Sequence, residues 1–162
     1  MHNAMTELRP SAVEYRERLS PSLWVLVAAA VSAPMVALVF TPIDATLALV
    51  AGVVVAVAVT GGLVASAPVV EVRDGELRVG PAHIPVDLLG EAETATGEDA
   101  RQARGPGLAR TAWHLLRPGI DGVVRVPVDD PRDPVTEWVF SSRTPDRVAA
   151  AVRRARTAAV SG

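Results

Sequence analysis

The chain has 162 residues, of which 49% are hydrophobic, 4% aromatic and 21% charged, with a formal charge of −2 and no cysteine. The near balance of arginine against acid excludes the electrostatic footprint of a nucleic-acid binder, and the missing cysteine excludes disulfides, thiol catalysis and thiolate metal sites. The hydrophobic fraction lies between that of an ordinary soluble domain and that of a polytopic transporter, and every cationic side chain is arginine, since the chain has no lysine.

Residues 1–22 form a polar N-terminal segment containing Arg9, Arg16 and Arg18. Two charge-free apolar runs follow, 23–40 and 45–67, separated only by Thr41-Pro42-Ile43-Asp44. A hydrocarbon core of about 30 Å needs roughly 20 helical residues at about 1.5 Å each, so the first run is a short span and the second a comfortable one. Valine, abundant in the second run, is a poor helix former in water, but in lipid the backbone has only itself to bond and helix wins. Pro34 is expected to kink the first helix, and Gly52, Ala56, Gly61, Gly62, Ala65 and Ser66 offer small faces for packing one helix on the other. Neither run holds an ionisable side chain, which argues against the proton relays and ion sites of transporters.

Arginine precedes the first run and follows the second, at Arg73 and Arg78, whereas the connection carries only Asp44. The positive-inside rule then places both termini in the cytoplasm and the protein in the inner membrane as a multi-pass chain. A cleaved signal peptide fits less well, because the first run exceeds a typical h-region and the segment before it is long and contains acids.

Behind the second run, Val69-Val70-Glu71-Val72-Arg73 and Glu76-Leu77-Arg78-Val79 alternate apolar and charged residues about Asp74-Gly75, the signal of a two-residue hairpin with a type I′ turn. Further strands are expected at 82–88, 111–117, 123–128 and 136–142, the clearest alternation being Val124, Val126 and Val128. A polar, helix-compatible stretch at 97–104 stops at Gly105-Pro106-Gly107. A last helix over 145–159 starts at Pro145, capped by Thr144, with Asp146 at its positive end and Val148, Ala151, Val152, Ala155 and Ala159 on one face.

The expected architecture is therefore an α+β membrane protein. Residues 1–22 are a cytoplasmic segment, 23–67 a transmembrane helical hairpin, and 68–162 a small antiparallel β domain closed by a C-terminal helix. Strands followed by one terminal helix is the order of a pleckstrin-homology-like (PH-like) domain.

No catalytic constellation is legible. His83 and His114 lack partners at metal-ligand spacing, and 129–134 lacks the glycine and spaced oxygens of a calcium loop, reading instead as a proline-locked turn. No nucleophile elbow or phosphate-binding glycine loop occurs, so neither an enzyme nor a cofactor is expected. Arg101, Arg104, Arg110 and Arg117, with Trp113 among them, suit phosphate or anionic lipid; the plainer reading is a solvated face with ion pairs to Glu98 and Asp99. Trp113, Trp138 and Phe140 read as core or interfacial anchors.

Most of the chain resembles an actinobacterial two-span membrane-protein family catalogued as a domain of unknown function. The resemblance is carried by Tyr15-Arg16-Glu17-Arg18-Leu19, Gly75-Glu76-Leu77-Arg78-Val79-Gly80, Ile84-Pro85-Val86 and Ala103-Arg104-Gly105-Pro106. It continues through Leu116-Arg117-Pro118, Val124-Arg125-Val126, 130–134, Trp138, Ser142-Arg143 and Pro145. It implies topology and lineage, and no activity or site residue.

Two functions are expected from these readings. One is an inner-membrane scaffold or accessory protein whose cytoplasmic domain binds a protein partner. The other is an anionic-lipid or small-anion module in which Arg73, Arg78, Arg101 and Arg104 face the headgroups.

Overall fold

A computed structural model describes residues 13–161. Two long helices, α1 (Leu23–Phe40) and α2 (Ala45–Ala65), form an antiparallel hairpin. At about 1.5 Å per residue they measure about 27 and 31 Å, and both are long and apolar enough to cross a membrane. Asp44 starts α2 by accepting the Leu47 N–H at 2.8 Å. Small residues set the spacing between the helices: Ala29, Ala48 and Gly52 are buried, and a Cβ on Gly52 would lie 3.1 Å from the Ala33 carbonyl oxygen. Gly61 and Gly62, by contrast, have nothing within reach of an added Cβ. The outer faces are open, Trp24 being 81% and Val57 68% exposed.

Strand β1 (Val13–Arg18) precedes the hairpin and β2 (Val69–Arg73) follows it, and the two pair antiparallel from Arg18↔Val69 outward. The segment 1–22, expected to stand apart from the β domain, thus supplies one of its strands from its described part. Its first twelve residues, and Arg9 with them, lie outside the described residues. β3 (Glu76–Val79) and β4 (Ala82–Pro85) complete a first sheet in the order β1-β2-β3-β4. Asp74 and Gly75, with φ of 53° and 76°, make the turn between β2 and β3 that the Asp-Gly pair foretells. The expected strand at 82–88 stops at Pro85, and residues 86–88 close a single 3₁₀ turn.

The second sheet contains β5 (Glu93–Ala95), β6 (Ala112–Leu115), β7 (Val123–Pro127) and β8 (Glu137–Ser141), in the order β5-β7-β8-β6. β6 lies parallel to β8, an exception in a domain expected to be mostly antiparallel. Helix α3 (Gly97–Arg104) lies over one face of this sheet, where Ala100 and Ala103 pack on Val123 and Val139. The other face meets the first sheet in the main core, built from Val70, Val72, Leu77, Val79, Val124, Val126 and Phe140. Burial on both faces explains why Val123 and Val124, adjacent in sequence and on opposite faces of one strand, are both inaccessible.

Helix α4 (Pro145–Ser161) presses Val148, Ala151, Val152 and Ala155 into the main core. Its expected side-chain cap is replaced by another bond. The Thr144 hydroxyl pairs with the Tyr15 hydroxyl at 2.6 Å, and the Thr144 carbonyl accepts the Arg147 and Val148 N–H groups. Trp138 and Phe140 are core residues, and half-buried Trp113 packs on Trp138 with ring centroids 4.5 Å apart.

Candidate functional site

The densest set of polar contacts between distant parts of the chain lies at the base of the hairpin, where β1, both helices, residues 116–122 and the β8–α4 corner converge. The last carbonyls of an α-helix have no partner within the helix and carry its negative dipole end. α2 has no basic residue in its own last turn. Cations come instead from elsewhere in the chain: Arg18 donates to the Val64 carbonyl at 3.0 Å and Arg117 to the Ser66 carbonyl at 2.7 Å. A third guanidinium, on Arg143, donates to the carbonyls of Arg18 and Ser20 at 3.3 and 2.6 Å, fixing the chain where it leaves β1 for α1.

Glu17 holds this corner together. Its carboxylate accepts the Tyr15 hydroxyl at 2.8 Å, the Ser142 hydroxyl at 2.6 Å and the Arg143 N–H at 2.8 Å. Burial, reinforced by the Glu17 carboxylate, pushes the Tyr15 phenol above its ordinary range, against the opposing pull of the Thr144 and Ser142 hydroxyls. Gly119, with φ of 79°, sits so close to the start of α1 that a Cβ would fall 2.6 Å from Ser22 Oγ. Between these parts lies a cavity of about 180 Å³, walled by Leu19, Val25, Leu63 and Pro118, with Ser20 and Arg117 as its polar edge.

Arg18, Arg117 and Arg143 have no ion-pair partner among the described residues, whereas Arg73, Arg78, Arg101 and Arg125 each pair with an acid. The four arginines singled out from the sequence are not brought together. Arg73 ends β2 beside the Asp74–Gly75 turn, at the far end of that strand from α2, and lies 3.1 Å from Asp74. Arg78 lies in β3 opposite Glu71 and is held by Glu76 at 2.8 Å. Arg101, on α3, pairs with Glu98 at 3.1 Å, the ion pair that the plainer reading of this stretch anticipates. Arg104 donates to the Ala100 and Ile120 carbonyls and so ties α3 to the 116–122 loop.

The other motifs fall into place as structure. His83 lies on β4 opposite Arg78, and His114 on β6 opposite Val139, in different sheets. Among the described residues no group of three or more His, Cys, Asp or Glu side chains is placed to hold a metal ion. Residues 129–134 connect β7 to β8, Asp130 accepting the Arg132 N–H and Asp133 the Val135 N–H, as Asx turns do.

The family described as "Protein of unknown function (DUF3093)" matches residues 14–152. The chain belongs to this family. The DUF3093 match begins inside β1 and ends inside α4, so it takes in the hairpin, both sheets and the corner at Glu17. Two of the motifs that carry the resemblance, Tyr15-Arg16-Glu17-Arg18-Leu19 and Ser142-Arg143, are placed in contact by the fold. No curated protein and no solved structure matches the chain.

Proposed function

We propose that the hairpin crosses the inner (plasma) membrane twice, with both termini and the β domain in the cytoplasm. On this reading the domain, PH-like in its order of strands and closing helix, serves as a scaffold that binds a protein partner. One observation supports it most: β1 and β2, the strands flanking the hairpin, pair with each other across its mouth. A module joined to its spans in this way is a fixed fixture on the membrane surface rather than a tethered one. Exposed apolar side chains along both helices support insertion, since an apolar surface of this extent needs a lipid or protein cover. Arg18 and Arg117 at one end of the hairpin, against Asp44 at the other, support the orientation.

The cysteine-free chain makes topology directly measurable. Ile43→Cys is expected to react with an impermeant maleimide in intact cells and Ser161→Cys only after permeabilisation; the reverse pattern overturns the orientation. For the partner, β4 and β6 end their sheets and suit strand addition by an extended segment. A photo-reactive residue at His114 or His83 in the native host is expected to give one discrete protein adduct. Absence of any adduct from both edges overturns the scaffold reading.

A further inference from the structure

We propose that the base of the hairpin is a seat for one anionic phospholipid of the cytoplasmic leaflet. Its phosphate would lie on Arg117, Arg18 and Arg143, and the upper part of one acyl chain in the adjoining cavity. The inference rests on the membrane-spanning reading above and adds to it a specific ligand.

Four observations converge on this assignment. None of the three guanidiniums forms an ion pair among the described residues, the Glu17 carboxylate of the same corner being taken up by the Tyr15 and Ser142 hydroxyls and the Arg143 backbone N–H. A guanidinium has several N–H donors, and Arg18 and Arg117 each use one on a carbonyl, which orients the group while leaving donors for an anion. Their position is fixed by α2 itself: the bonded carbonyls, those of Val64 and Ser66, belong to its last turn and C-cap, the level at which a phosphate lies when the helix spans the bilayer. Finally, the lining of the cavity of about 180 Å³ divides between the polar Arg117 and Ser20 and the apolar Leu19, Val25, Leu63 and Pro118. An amphiphile, charged at one end and apolar at the other, matches that division; a free inorganic anion would leave the apolar walls unused.

The arginines that are distant from the hairpin provide the control. Arg153 and Arg156 lie in the second half of α4, beside Gly90 and Glu91. α4 starts at the corner held by Arg143 and runs away from it, so these two arginines cannot share the seat.

The test uses the full chain in nanodiscs of phosphatidylcholine with a minor fraction of phosphatidylglycerol, released into native mass spectrometry. The wild-type chain is expected to retain one phosphatidylglycerol in preference to phosphatidylcholine. Arg117→Gln with Arg143→Gln is expected to weaken retention roughly fivefold per arginine removed, while Arg153→Gln with Arg156→Gln, the same charge change elsewhere, leaves it intact. Leu63→Trp fills the cavity without touching a charge and is expected to abolish the adduct; it carries the test if the arginine pair fails to fold. Equal retention of both lipids, or equal effects of the two arginine pairs, overturns the seat while leaving the spanning topology standing. Inorganic phosphate binding alone in detergent, unaffected by Leu63→Trp, overturns the lipid in favour of a free anion. Failure of the chain to enter nanodiscs is a failure of the spanning reading instead.

Discussion

Tyr15 is the chain's only tyrosine, so the tyrosinate band in a pH-difference ultraviolet spectrum belongs to one residue. The hydroxyl donates to Glu17 and meets Thr144, joining β1 to the start of α4. Folding raises the phenol's pKa above its ordinary value of 10.0, which means the folded chain favours the neutral form. The stabilisation is therefore complete below that ordinary value and is lost as pH climbs through the raised one. Tyr15→Phe is expected to cost about 1–2 kcal/mol at neutral pH and to flatten the alkaline arm of the stability profile, measured by chemical unfolding in detergent. An unchanged alkaline arm would show that another group controls it. None of this is legible locally: a run reading Glu-Tyr-Arg-Glu-Arg looks like a solvated leader, and the groups that give it a role arrive more than a hundred residues later.

Elements announced themselves in the sequence in proportion to how local their causes are. The two apolar runs, the Asp-Gly turn and most of the apolar face of α4 depend on neighbours within a few residues and appear where expected, although α2 ends at Ala65 as Ser66 takes its C-cap and the buried face of α4 stops at Ala155, leaving Ala159 exposed. β1 and the three-residue β5 depend on partners far along the chain and leave no local pattern that marks them as strands. Closeness in sequence to the second apolar run points to Arg73 and Arg78, but what matters is distance along a strand from the helices; β2 carries Arg73 away from them while β1 delivers Arg18 to them. Within the hairpin, the small residues also divide by contact. Gly52→Leu has to displace the Ala33 backbone and the Ala37 Cβ, 3.1 and 3.2 Å from the new Cβ, and is expected to destabilise the helix pair by about 1–3 kcal/mol. Gly61→Ala, with open space around it, is expected to be neutral or slightly stabilising, both variants being compared with the wild type by thermal denaturation in micelles. Equal losses at both positions would place the packing seam elsewhere.

At the scale of the whole molecule, the hairpin is an insertion between two adjacent strands of one sheet. The Leu19 N–H donates to the Pro68 carbonyl at 2.9 Å, so the chain leaves and rejoins the domain at nearly the same point. Residues 69–161 alone are expected to aggregate, because removing β1 strips Tyr15 and Leu19 from the core and bares the edge of β2. Replacing 20–67 by a short glycine-rich turn is expected to give a monomeric, cooperatively unfolding domain, measured by size-exclusion chromatography and thermal denaturation. A soluble, stable 69–161 fragment would contradict the role assigned to β1. The same pairing also puts the chain's synthesis in a particular order. Arg18 emerges from the ribosome about fifty residues before its partner Val69, a delay of a few seconds or more at usual elongation rates. In the proposed topology both spans are made during that interval, so β1 must wait unpaired while they enter the bilayer. Closure of the first sheet then marks the completion of insertion, and a chain whose spans stall would be left with an open strand edge, the feature by which quality-control proteases could recognise it.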